Sequence, residues 1–248
     1  MSDKDKKIRL DKLMTERGLA SSRERSRALI LSGSVVVNEI TIDKAGQLVP
    51  INADIRIRGD QNPYVSRGGL KLKHALETFC IDVAGLVAMD VGASTGGFTD
   101  CLLQEGARTV YAVDVGYGQL AWKMRMDERV HVFERTNIRY FDGAGIDEPI
   151  DIVTVDVSFI SLKLVVPVLY PLLPEGARLL ALIKPQFEAK RSEIGKGGVV
   201  KDREVHDRVV DEIAAVAEEV GFPVAGLCES SLLGPAGNRE FFLFARKG

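Results

Sequence analysis

Apolar residues in the first sixty positions recur first at helical spacing and then in short runs. Leu10, Leu13 and Met14 fall at i, i+3 and i+4, and Gly18 behind them reads as a helix stop. Ser21 and Glu24 have capping-box spacing and open a second helix. That helix carries Arg23, Arg25 and Arg27, turns apolar through 28–31, and ends at Ser32 and Gly33. Strand-like runs follow at 35–37, 40–42 and 54–58, the last alternating Ile55 and Ile57 with charges. The segment GDQNP at 59–63 is turn chemistry. The pattern predicts a small α+β domain over residues 1–60, joined by a linker to a domain over 61–248.

From Tyr64 the period changes. Leu72, Ala75, Leu76 and Phe79 make a helical stripe, with Lys71 off it. Residues 87–91 form a buried strand, 98–103 begin a helix, and 110–115 form another strand. Further strands are expected at 152–157, 178–183, 223–228 and 240–245. A helix is expected at 206–220, with Val209, Ile213, Val216 and Val220 on one face. Continuous apolar strands alternating with helices imply a mainly parallel sheet covered on both faces, an α/β architecture.

Composition narrows the class. The 248 residues are 46% hydrophobic and 27% charged with a formal charge of −2, an ordinary globular mix. Charge is uneven, however: residues 1–70 hold thirteen Lys/Arg against nine Asp/Glu. A basic front on an acidic body points to an appended polyanion-binding module. Cys80, Cys101 and Cys228 are isolated, so a disulfide scaffold or metal site is not expected and a reducing cytoplasm fits. The start of the chain lacks the apolar core of a signal peptide. The most apolar stretch, 162–173, is broken by Lys163, Pro167 and Pro171, so no membrane span is expected.

The sharpest local signal is the run from Asp90 through Gly92, Ser94, Thr95, Gly96 and Gly97 to Phe98, between a strand and a helix. Its glycines allow a tight turn and close approach of a ligand, but the spacing is neither a Walker loop nor G-x-G-x-x-G. Asp114 ends the next strand, where a Rossmann-like acid bonds ribose hydroxyls. Together they suit a nucleoside cofactor without phosphate, such as S-adenosylmethionine. Methyl transfer to pyrimidine carbon would require a cysteine nucleophile, and none of the three follows a proline. Transfer to an amino group would call for Asp/Asn-Pro-Pro-aromatic, where this chain has Asp156-Val-Ser-Phe159. What the strand ends do offer is charge: Asp156, Lys184 and Glu240, with Lys71 near the first helix. Methylating a hydroxyl needs a proton acceptor or oxyanion stabilisation, which converging lysines and carboxylates supply.

These motifs resemble the TlyA-type rRNA methyltransferases, also called haemolysin A, over nearly the whole chain. The resemblance is carried by Tyr64-Val-Ser-Arg-Gly-Gly-Leu-Lys71, the run from Asp90 to Asp100, Asp156-Val-Ser-Phe-Ile-Ser161, Lys184-Pro-Gln-Phe-Glu188 and Asn238-Arg-Glu240. It implies an FtsJ-like, Rossmann-like S-adenosylmethionine-dependent methyltransferase behind an N-terminal alpha-L RNA-binding domain. The implied reaction is 2′-O-methylation of a cytidine ribose in ribosomal RNA, with Lys71, Asp156, Lys184 and Glu240 as the catalytic tetrad. Lys184 then acts as base if neutral or oxyanion stabiliser if charged. Lys71 and Asp156 orient it, and Glu240 positions Lys71 or the substrate ribose. The turn from Asp90 to Phe98 holds the methionine part of the cofactor, Asp114 its ribose, and Thr136, Asn137 and Ile138 line adenine. Arg9, Arg23, Arg25, Arg27 and Arg67 meet RNA phosphates, and the glycine-rich segment 188–201 is a candidate mobile loop over the site. The competing classes are a non-catalytic ribosome assembly factor, against which the intact tetrad argues, and a membrane-active haemolysin, which no span or cationic amphipathic helix supports.

Overall fold

A computed structural model describes residues 7–20, 22–58 and 62–248. The chain divides into two compact units, Met1–Gln61 and Asn62–Gly248. In the first, α1 (Leu10–Glu16) and α2 (Arg23–Leu31) share a core with β2 (Val35–Val37), β3 (Ile40–Ile42) and β5 (Ile55–Ile57). These strands pair antiparallel in the order β3-β2-β5. Two three-residue strands that the pattern does not reveal, β1 (Lys7–Arg9) and β4 (Leu48–Pro50), pair with each other. Leu10, Leu13 and Met14 are buried as their spacing predicts, and Gly18 ends the turn at φ +68°.

The start of α2 needs correction. Ser22 is the cap, its Oγ accepting the Arg25 N–H at 3.1 Å, while Ser21 lies outside the described residues. Glu24 is then only two positions past the cap, so the reciprocal capping-box bond does not form. Arg23 and Arg27 share a face at i, i+4, but Arg25 lies about 200° around the helix.

The second unit is built on a seven-stranded sheet. Its strands are β6 (Val87–Val91), β7 (Thr109–Val113), β8 (Val130–Phe133), β9 (Ile152–Val155), β10 (Arg178–Ile183), β11 (Val224–Glu229) and β12 (Phe241–Arg246). The spatial order is β11-β12-β10-β9-β6-β7-β8, with β12 antiparallel to both neighbours and β6 to β10 parallel. Alternate strand residues feed opposite faces. Met89, Val91, Val153 and Ile183 join one core with α6 (Val166–Leu169) and α8 (Arg203–Val220). Ala88, Val110, Leu180 and Phe242 join another with α3 (Gly68–Thr78) and α4 (Gly97–Gln104). Such two-sided burial is why these strands read as continuous apolar runs.

Strands expected to run to 115 and 157 stop at Val113 and Val155. Val91 is the last register partner of both, and Gly92 leaves the ladder at φ +87°. Asp114 and Asp156 therefore begin loops rather than end strands. β8 was not legible because its sequence, Val-His-Val-Phe, is short and carries a histidine. Helix α8 starts earlier than expected, where Asp202 Oδ1 caps the Glu204 N–H at 3.0 Å. Its buried row is Val205, Val209, Ile213 and Ala217, with Val216 and Val220 only half-buried.

Candidate active site

Strand polarity assembles the site. Gly92, Asp114, Asp156 and Lys184 each follow the last residue of a parallel strand, so all four emerge at one edge of the sheet. Glu240 precedes the antiparallel β12, which brings it to the same edge. Chain order reverses at β6, whose neighbours are β7 and β9, and ligands of open α/β sheets bind at such switch points.

Glycine makes the turn possible. A Cβ on Gly92 would lie 2.5 Å from the Asp156 carbonyl oxygen, and one on Gly97 would lie 2.1 Å from Ser66 Oγ. The second close approach seats the start of α4 against the start of α3, the helix that carries Lys71. Gly96 also needs its positive φ of +96°, but its missing side chain makes room for Leu120 and Met124 rather than for a ligand.

Two cavities open at this edge. One, of about 650 Å³, is lined by Lys71, Asp156, Lys184 and Glu240, together with Arg67, Thr95, Gly97 and Phe98. The other, of about 750 Å³, is lined by Asp114, Thr136, Asn137 and Ile138. Gly92, Ser94, Asp156, Ser158 and Phe159 wall both.

The four charged residues of the first cavity form two ion pairs. Lys71 Nζ lies 2.5 Å from Glu240 Oε2, with the glutamate only 1% exposed. A buried carboxylate demands such a partner, which accounts for a lysine on the buried side of α3. Lys184 Nζ lies 2.6 Å from Asp156 Oδ1 and donates a hydrogen bond to Ser158 Oγ at 3.0 Å. Gln186 Nε2 approaches the other Glu240 oxygen at 3.5 Å.

In the second cavity Asp114 is already engaged with the backbone. Its Oδ2 accepts the Ser94 N–H at 2.8 Å and its Oδ1 the Gly116 N–H at 2.7 Å. These bonds fix the carboxylate at the cavity wall and leave further lone pairs free to accept from a ligand. Asn137 Oδ1 caps a short turn by accepting the Arg139 N–H at 3.1 Å. An acidic acceptor, an apolar Ile138 and a glycine floor fit the ribose, adenine and chain of a phosphate-free nucleoside. The donor set therefore fits S-adenosylmethionine.

Asp90 departs from the sequence expectation. It is fully buried, lines neither cavity, and accepts hydrogen bonds from Thr99 Oγ1 at 2.7 Å and Thr154 Oγ1 at 3.3 Å. Burial pushes its pKa up to about 7, and the charge of Asp156 pushes the same way. It braces α4 against the sheet from behind the turn.

Residues given no role by sequence reasoning also stand here: Ser66, Ser158, Gln186 and Asn238. All lie inside the quoted motifs, and that membership was the only signal. Asn238 is buried, accepts the Val200 N–H at 2.9 Å and donates to Gly198 O at 2.9 Å. It pins the segment expected to be a loop. That segment, 188–201, begins where the helix α7 (Pro185–Glu188) ends; it contains a turn at Arg191–Glu193 and a bridge between Gly195 and Val199, and Gly197 and Gly198 line the first cavity.

In the first unit, Arg9 and Arg23 converge on the buried Asp11, both reaching Oδ2, at 3.0 and 3.1 Å. The hydrogen-bonded Arg9 guanidinium, helped by Arg23, holds the Asp11 pKa down to about 2. Arg25 and Arg27 are exposed and have no ion-pair partner among the described residues. No helix among the described residues is long and apolar enough to cross a membrane.

A sheet of this order, with its antiparallel hairpin and a glycine turn at the switch point, defines an S-adenosylmethionine-dependent methyltransferase fold. The chain belongs to the FtsJ-like methyltransferase family, whose model matches residues 64–247, and an S4 domain matches residues 8–55. It is 43% identical to the 16S/23S rRNA (cytidine-2′-O)-methyltransferase TlyA of Mycobacterium tuberculosis, over 97% of this chain and 90% of that protein. It is 48% identical to YqxC of Bacillus subtilis, which is named as an rRNA methyltransferase, over 96% of this chain and 85% of that protein. A solved structure described as a hemolysin from Streptococcus thermophilus superposes with a TM-score of 0.76 at 43% identity, covering 97% of this chain and 88% of that one. The resemblance read from the motifs agrees with all three.

Proposed function

We propose that the protein transfers a methyl group from S-adenosylmethionine to a ribose 2′-hydroxyl of ribosomal RNA, at a cytidine, in the cytoplasm. The observation that carries this is the wall common to the two cavities: Lys71, Lys184 and Glu240 lie on one side of it, the nucleoside-like pocket on the other, and Asp156 in the wall itself. When bound, S-adenosylmethionine supplies an electrophilic methyl carbon attached to a sulfonium. Gly92 and the turn to Phe98 would hold its amino-acid part, Asp114 its ribose, and Asn137 and Ile138 its adenine.

The chain's own residues do the rest. Lys184 faces the acceptor hydroxyl and either takes its proton or, charged, stabilises the developing oxyanion. Asp156 and Ser158 hold the Lys184 amine at the cavity wall. Lys71, neutralised by Glu240, adds a second ammonium for which the folded chain already provides a counter-charge. Phe159, 92% exposed at φ +63° on the common wall, offers a face on which the acceptor base can stack. Residues 1–60 contribute RNA affinity through Arg25 and Arg27. Arg9 and Arg23, shared with Asp11, contribute less, and Arg67 meets the RNA beside the catalytic cavity. Residues 61–248 contribute the chemistry.

Lys184→Ala tests this. Transfer of tritiated methyl from S-adenosylmethionine to ribosomal subunits is expected to fall to background, while calorimetric affinity for S-adenosylmethionine stays near wild type. Lys184→Arg is expected not to restore it, since guanidinium neither deprotonates nor matches the ammonium in shape. Near wild-type single-turnover methylation by Lys184→Ala would overturn the mechanism.

A further inference from the structure

The loops that carry Asp156 and Lys184 are joined well beyond the strands that present them. β9 and β10 are adjacent and parallel, and their register ends at Val155 opposite Ala181. From there the links between the two loops are made by side chains, in three rungs. Lys184 Nζ meets Asp156 Oδ1 at 2.6 Å and Ser158 Oγ at 3.0 Å. The rings of Phe159 and Phe187 lie 5.0 Å apart. Farthest out, the Glu188 carboxylate accepts the Ser161 hydroxyl at 2.5 Å and the Leu162 N–H at 2.7 Å.

The last rung is costly to maintain. Burial raises the Glu188 pKa, against the opposing effect of its two hydrogen bonds. A leucine or methionine would fill this place without desolvating a charge. The carboxylate does what an apolar residue cannot: it fixes the direction of two donors on the facing loop. Phe159, in the middle rung, lies in the left-handed region that a phenylalanine occupies only when its surroundings impose it.

We propose that Glu188 is a positioning residue for methyl transfer, which by anchoring Ser161 and Leu162 sets how Asp156 and Ser158 face the Lys184 amine. This rests on the function proposed above. It assigns Glu188 no contact with cofactor or RNA, and neither cavity is lined by it. Its action is geometric: a displacement of about 1 Å at a reacting group costs on the order of a hundredfold in rate.

The full-length protein is assayed for kcat and for KM of S-adenosylmethionine, with tritiated cofactor and ribosomal subunits as acceptor, alongside calorimetric affinity for S-adenosylmethionine. Glu188→Ala is expected to lower kcat by about ten- to a hundredfold, with KM and cofactor affinity within about twofold of wild type. Glu188→Gln can still accept from Leu162 and bond to Ser161, so it is expected to recover most of the rate. Ser161→Ala, which leaves the Leu162 bond and the carboxylate in place, is expected to fall between them and covers the case in which Glu188→Ala does not fold. Wild-type kcat in both Glu188→Ala and Ser161→Ala overturns the proposal, and so does a loss of rate matched by equal loss of cofactor affinity. If the wild-type protein labels no ribosomal RNA, the functional reading falls and this inference with it. An active wild type with unaffected variants removes the inference alone.

Discussion

Asp90 offers a direct test of how the turn is supported. Its carboxyl is fully buried beneath the edge of the sheet that carries the candidate site, and its pKa is pushed up to about 7 from 3.8. The folded state therefore prefers the protonated acid. Its stabilising contribution is full below the unfolded pKa of 3.8 and is lost as pH rises through about 7. The gap between the two values corresponds to roughly 4 kcal/mol, at about 1.4 kcal/mol for each tenfold change in proton affinity. Of this, about 2–3 kcal/mol falls between about pH 5 and about pH 8. Asp90→Asn removes the titration and keeps the shape. Its Oδ1 can still accept from Thr99, and its amide can donate to Thr154 Oγ1, which lies 3.4 Å from Met89 O and can turn its proton there. Stability from urea unfolding, measured across that pH range, is expected to fall in the wild type relative to Asp90→Asn by about 2–3 kcal/mol. A stability difference between the two proteins that does not change with pH would refute the burial argument. Asp156→Asn should narrow the effect, because the Asp156 charge also raises the Asp90 pKa.

Gly92→Ala combines φ +87° with a Cβ 2.5 Å from the Asp156 backbone oxygen, so the end of β9 must move. A loss of about 2 kcal/mol or more in stability is expected, together with loss of calorimetric S-adenosylmethionine binding; a wild-type unfolding midpoint and affinity would contradict it. Reversing the charges of Arg25 and Arg27 should weaken RNA binding across sequences and reduce the slope of log affinity against log salt by about 1.4–1.8 or more, with no change across salt counting against the assignment. In Asp11, whose pKa is held at about 2, the depressed value means stability is present above about 4 and lost as pH falls toward 2. Asp11→Asn is expected to flatten that acid limb in hydrogen exchange at Leu13 and Met14, and an unchanged limb would exclude Asp11 as its source.

How much of this was legible depended on whether the signal was local. The strands β6 and β10 were, because two-sided burial writes itself as consecutive apolar residues. The positions of Asp156, Lys184 and Glu240 were as well, because a charge directly beside such a run marks a strand end. Lys71 was legible as a motif residue but not as a buried one. An amphipathic pattern assigns any lysine to the solvent face, and only Glu240, 169 positions away, reverses that. Asp90 fails in the opposite sense: as the first residue of a glycine turn it reads as a ligand contact, yet the period of two in β6 directs it into the sheet, toward Thr154 on β9. Alternation along β6 could have found this, since Asp90 has the parity of Ala88, on the face covered by α3 and α4, and not that of Met89 and Val91. Arg9 and Arg23 also hold the buried Asp11, a structural duty not legible in a helix whose apolar spacing is its dominant pattern. The partner of Lys71 is distant in sequence, whereas Asp11 lies only two residues from Arg9 and twelve from Arg23, so for these it is the burial of the carboxylate that the pattern hides. A buried carboxylate must be neutralised or protonated. Asp11 and Glu240 are neutralised by partners in other elements, whereas Asp90 has no cation partner and takes the proton.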